Sequence, residues 1–166
     1  PLGPHHAALA ELCRRWPATR LRDGLPDMAG FFARHDLQVG AGGGAAWERC
    51  CIGAPTVACA VADNQLATLP LLAAAGAVAW ARDGGDLASS LAGEITRLLG
   101  DPPLRRQLSE RARQLVDGRG AARVAAVLAT RAGAAFTARA ASSADESLLL
   151  QWANDPEVRA NAFNPR

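Results

Sequence analysis

Gly42, Gly43 and Gly44 stand between a short apolar run and a helical stretch whose one acid is Glu48. Glycine lets an anion approach the main chain closely, and the N–H groups that open a helix point at whatever sits there. Glu48, four residues into that helix, is placed to accept both hydroxyls of a ribose whose diphosphate lies at the helix start. An interaction with the helix dipole is the plainer account of the same acid. The glycines alone favour an ordinary flexible turn, because they form neither a Walker loop nor a G-x-G-x-x-G fingerprint.

Asp63, Asn64 and Gln65 follow the next apolar run. Amide side chains carry donor and acceptor together, which suits sugar hydroxyls or an acetamido group; a helix N-cap role for Asp63 or Asn64 explains the pattern as well. His5 and His6 lie near the end of a first strand, without a neighbouring acid in sequence to mark a catalytic pair. Trp47 reads as core or sheet-packing.

These residues need a frame, and the hydrophobic pattern supplies one. Helical character spans His6 to Trp16, with Pro1 to Pro4 reading as the end of a strand that begins earlier. Thr19 to Arg22 reads as a short strand, and Asp27 to Arg34 as a helix that Asp27 caps. Leu37 to Gly40 is an apolar strand, Ala45 to Ile52 a helix stopped by Gly53-Ala54-Pro55, and Thr56 to Val61 a strand covered on both faces. Gln65 to Ala75 reads as a helix ended by Gly76, and Ala77 to Trp80 as the last strand.

Strands alternating with helices at this spacing predict an α/β fold, a Rossmann-like parallel sheet with flanking helices. Its glycine turn falls at a strand's carboxyl end, where such sheets bind anionic ligands. Beyond Gly85 three helices follow: the Leu87 to Leu98 stripe, a second opened by Asp101-Pro102, and Ala121 to Thr130. From Ala134 the pattern changes to a strand, Phe136 to Arg139, and a helix capped near Ser142, Ser143 and Asp145. That tail is too short to bury its own apolar residues, which places a boundary between a unit at 1–132 and a truncated α+β fragment at 133–166.

The chain has 166 residues and a net charge of +2, and its charge names no partner. All 18 basic residues are Arg, which together with the abundant Ala points to compositional bias instead of a nucleic-acid surface. Cys13, Cys50, Cys51 and Cys59 form no C-x-x-C pair; Cys50 and Cys51, adjacent on a helix, face different sides. They read as reduced thiols, and no metal site is expected. Neither a membrane-spanning run nor a signal-peptide pattern is visible, so a soluble, cytoplasmic protein without membrane or nucleic-acid partners is expected.

The run Gly-Ala-Gly-Gly-x-x-x-Trp-Glu-Arg-Cys-Cys-x-Gly-x-Pro, Gly40 to Pro55, followed by Ala62-Asp63-Asn64-Gln65, resembles the C-terminal domain of the UDP-2,4-diacetamido-2,4,6-trideoxy-beta-L-altropyranose hydrolases of pseudaminic acid biosynthesis. The resemblance runs from Leu2 to about Leu128 and includes Asp27-Met28 and Leu115 to Gly120. It implies the C-terminal half of a glycosyltransferase-B-like fold, with Gly42, Gly43 and Gly44 at the diphosphate and Glu48 at the ribose. Asn64 and Gln65 would hold the sugar, Asn64 next to the reacting anomeric carbon. It also implies hydrolysis without metal or other cofactor, and a general base from an N-terminal domain that this sequence lacks. The family carries Ser or Thr where this chain has Gly44, so one hydroxyl contact would be lost. A glycosyltransferase of the same fold, or a non-catalytic nucleotide-binding module, fits the same residues.

Phe136 to Asn164, especially Gln151 to Arg159, resembles the opening of a GNAT-type N-acetyltransferase. Acetyl-CoA is implied only for a complete domain of that kind, because the glycine-rich loop that grips the coenzyme's pyrophosphate is not in this sequence.

Overall fold

The computed structural model describes residues 5–131, 139 and 142–156. Its centre is a three-stranded parallel sheet in the order β1 (Gln38–Ala41), β2 (Thr56–Cys59), β3 (Ala79–Trp80). Gln38 pairs with Thr56 through to Ala41 with Cys59, and Val57 pairs with Ala79. Every residue of β2 is buried, as its unbroken apolar run requires of a strand covered on both faces.

The strand period divides the core in two. Ala58 on one face packs with Leu69, Leu72, Ala46, Cys50 and Ala112. Val57 and Cys59 on the other face pack with Ala79, Leu98 and Leu108. Burying each of these Leu side chains contributes on the order of 1.5–3 kcal/mol. Helices therefore flank both faces of a parallel sheet, a Rossmann-like arrangement.

The helices are α1 (His6–Arg15), α2 (Met28–Ala33), α3 (Gly44–Ile52), α4 (Leu69–Ala74), α5 (Leu87–Gly100), α6 (Pro102–Leu115), α7 (Gly120–Arg131) and α8 (Glu146–Asn154). Their boundaries follow local chemistry. Asp27 accepts from the Gly30 N–H at 2.8 Å and Asp101 from the Leu104 N–H at 2.9 Å, each satisfying a helix-opening donor. Gly53 and Gly76 close α3 and α4 in the left-handed region at φ 73° and 71°. At the start of the tail, Ser142 and Asp145 form a reciprocal capping box ahead of α8.

Three expectations change. Thr19 to Arg22 is not a strand: Arg20 and Arg22 are exposed, and among the described residues no neighbouring strand pairs with the segment. The helix expected over Gln65 to Ala75 is two pieces, a 3-10 helix at Asp63–Ala67 and then α4, because Pro70 has no N–H to continue an α-helical ladder. Helix α1 forms where its pattern places it, yet none of its residues is buried. Phe136 to Ala138 of the expected tail strand, most of the expected boundary, and 157–166 lie outside the described residues.

Candidate functional site

Strand β1 ends at Ala41, and the chain turns through Gly42 and Gly43 into α3. Gly42 is buried and donates its N–H to the Cys59 carbonyl at 2.9 Å, so it is the turn's anchor and not a free donor. Gly43 is half-buried and Gly44 exposed. At the start of α3 the Ala46 N–H donates to the Gly43 carbonyl at 2.9 Å, which leaves the N–H groups of the exposed Gly44 and Ala45 as the donors with no carbonyl one turn back.

Of the three glycines, Gly42 serves by its size. None of the three has positive φ, so conformational freedom, the reason their sequence suggests, is not what the turn uses. A Cβ on Gly42 would lie 3.0 Å from a Leu69 methyl, whereas one on Gly44 would meet nothing within 4 Å.

Glu48 is exposed on the second turn of α3, the same helix whose N-terminus is open. From the neighbouring strand tip, the 3-10 helix brings Gln65 against the glycine turn. The Val61 N–H donates to Gln65 Oε1 at 3.1 Å, which directs the amide nitrogen to within 3.4 Å of where a Gly43 Cβ would be. Asn64, one residue earlier, is exposed. Gly43 and Gln65 are thus brought together at the β1 and β2 tips, with Glu48 one turn further along α3. Neither Asp63 nor Asn64 is a helix cap: Ala62 occupies that position before the 3-10 helix and Thr68 before α4.

A cavity of about 450 Å³ continues the site across the tips of β2 and β3, lined by Val61, Asp63, Leu66, Trp80, Arg82 and Asp83. The Arg82 guanidinium lies over the Trp80 ring at 4.6 Å, closing one wall with a cation–π contact. A second cavity, about 340 Å³, opens at the opposite, amino end of the strands beside Pro55. Two of its arginines are engaged with helix-end carbonyls, Arg105 with Leu98 and Leu99, Arg113 with Ile52.

Several residues behave differently from their sequence reading. Trp47 is 41% exposed and is not a core residue; it leaves the buried stripe of α3 to Ala46, Arg49 and Cys50. His6 does have an acid beside it, since Asp23 folds back to 3.3 Å from its Nε2. Cys50 and Cys51 do face opposite ways, one buried and one exposed, and burial pushes the Cys50 thiol up. All four cysteines are free. Among the described residues no cluster of His, Cys, Asp and Glu is placed to hold a metal ion, and no helix is long and apolar enough to cross a membrane.

Arg49 is the residue that sequence reasoning missed. It is 5% exposed, its Nη2 donates to the Ala41 carbonyl at 2.7 Å, and its guanidinium stands 5.9 Å from the Phe32 ring centre. The signal was its position: three residues after Ala46 and one before Cys50, on the stripe of α3 that faces inward.

The structure thus joins the start of α3 to the carboxyl end of a parallel strand. One curated relative agrees with a sugar-handling context. The chain is similar to the spore coat polysaccharide biosynthesis protein SpsG of Bacillus subtilis (strain 168). The two are 33% identical over 127 residues, which cover 75% of this chain and 37% of SpsG. The chain therefore spans little more than a third of the length of that relative. No protein-family model matches it, and no solved structure does.

Proposed function

We propose that this chain is the nucleotide-binding half of an enzyme that processes a UDP-sugar during polysaccharide or glycan biosynthesis. The carrying observation is the open N-terminus of α3 at Gly43 and Gly44, with exposed Glu48 one turn on and the Gln65 amide alongside. In this reading the turn's backbone donors and Gly42's close packing receive the diphosphate, Glu48 accepts the ribose hydroxyls, and Asn64 and Gln65 hold the sugar. The similarity to SpsG supports a role in sugar biosynthesis.

The reaction proposed is hydrolysis of the type seen in pseudaminic acid biosynthesis, on a 2,4-diacetamido-2,4,6-trideoxy sugar. Water adds to the anomeric carbon, the C–O bond to the diphosphate breaks, UDP leaves with the bonding electrons, and the water's proton passes to a base. Asn64 would position the sugar at that carbon. The base is proposed to come from an N-terminal domain, as the resemblance implies. The tail at 133–166 is proposed to open an acetyltransferase domain that would use acetyl-CoA when complete.

The role of SpsG in spore coat polysaccharide biosynthesis favours one rival, a glycosyltransferase that passes the sugar to an acceptor instead of water. Incubating the full-length protein with the UDP-sugar and no acceptor separates the two: release of free sugar and UDP supports hydrolysis, and persistent substrate supports transfer. For the nucleotide site itself, calorimetry with Glu48→Ala is decisive. Losing a carboxylate that accepts two hydroxyls should weaken UDP binding by ~1.5–3 kcal/mol, about 10- to 150-fold. Unchanged affinity removes Glu48 from the ribose site.

A further inference from the structure

Arg49 is a buried charge without a counter-charge. Among the described residues it forms no ion pair, and its Nε is buried with no hydrogen-bond partner. Burial lowers its pKa from the ordinary value, with Cys50, Glu48 and Cys59 opposing that shift. A guanidinium nonetheless stays protonated in proteins, so the charge persists. Isolated charges are costly to bury, and such groups are ordinarily paired or serve a bound ion.

Its location gives that charge an address. Nη2 is bonded to the carbonyl of Ala41, the residue immediately before the glycine turn, and Nη1 lies where a Cβ on Gly40 would come within 2.9 Å. The side chain thus ties the second turn of α3 to the end of β1, bridging the two ends of the loop that carries the free N–H donors. An anion on Gly43 and Gly44 would lie roughly 7–10 Å from the guanidinium by chain reach. The guanidinium is buried, whereas Gly43 is half-buried and Gly44 exposed, so attraction over that distance is screened by solvent on the ligand's side only.

We infer that Arg49 is a positioning residue that supplies the buried positive charge matched to the ligand's diphosphate, making the turn selective for ligand charge. This rests on the nucleotide site proposed above. It differs from a purely structural clamp, which would affect charged and uncharged ligands alike.

The test is calorimetry of UDP, UMP and uridine with the whole chain and with Arg49→Met and Arg49→Lys at one ionic strength. Wild type should rank UDP above UMP above uridine. Arg49→Met should lose about tenfold for UDP, less for UMP and nothing for uridine, and Arg49→Lys should recover most of the loss. Equal losses for the three ligands, or an unchanged UDP affinity, overturn the inference and leave the nucleotide site standing. Failure of wild type to bind UDP overturns the site and the inference together. If the Met variant does not fold, the wild-type Arg49 Nε–H resonance decides: it should shift with UDP and stay in place with uridine, and equal or absent shifts contradict the assignment.

Discussion

Gly44 offers a direct experiment on the glycine turn, because a side chain there meets open space and the resembling enzymes carry a hydroxyl at that place. Gly44→Ser should fold normally and tighten UDP binding by about 1 kcal/mol, roughly fivefold, through one added hydrogen bond. Gly42→Ala should act in the opposite sense. Its methyl presses on Leu69 in the core, so a stability loss of ~1–2 kcal/mol is expected in a thermal melt. The places of the glycine turn and of Gln65 at strand ends were legible, because glycines and polar amides interrupt an apolar strand pattern. Arg49 and Trp47 were not, since the order of residues on a short helix does not say which stripe its neighbours cover. Arg49 took the buried stripe and Trp47 the partly exposed one.

The elements that hold the turn were read well wherever their ends are set by local chemistry. Asp27, Asp101 and Gly53 act at the positions their types suggest, since caps and left-handed closures depend only on nearby backbone. Thr19 to Arg22 failed because a strand needs a neighbour, which no local pattern guarantees. Asp101→Ala should cost ~1 kcal/mol through loss of the α6 cap. Gly53→Ala should cost more, about 2 kcal/mol or above, because φ of 73° strains alanine and its methyl collides with the Arg113 side chain that holds α3 to α6. Thermal unfolding of each variant checks the order. At the opening of α7, bonds from Arg123 and the Arg119 N–H hold the Asp117 carboxyl down at about 2. A depressed carboxylate stabilises the fold above its unfolded value, near 4, and that support fades as pH falls from there toward 2. Asp117→Asn should remove the part of the acid-induced loss of helicity that lies in this window, as circular dichroism would record.

At the level of the complete chain, a small sheet with helices on both faces explains how one turn and two strand tips are held together. Much else is left uncovered among the described residues. Helix α7 presents Val124, Val127 and Leu128 at half exposure or more, and α1 buries nothing. The chain also spans only 37% of SpsG. We therefore expect weak nucleotide binding and little turnover from this chain alone, with UDP release assayed directly; rapid hydrolysis would place the base within these residues and contradict the proposal. Fold class and element order were legible because hydrophobic period encodes them. The exposure of α1 and of the α7 stripe was not, because a helix's apolar pattern does not say whether a neighbour covers it.

The central claim is that a nucleoside diphosphate binds at the start of α3. Titrating the isotopically labelled chain with UDP and following backbone amide resonances tests it most directly. The account predicts that Gly43, Gly44 and Ala45 move most, with Glu48 and Gln65 next. Shifts concentrated on Arg105, Arg106 and Arg113 around the opposite cavity, or no shifts at millimolar UDP, would contradict it.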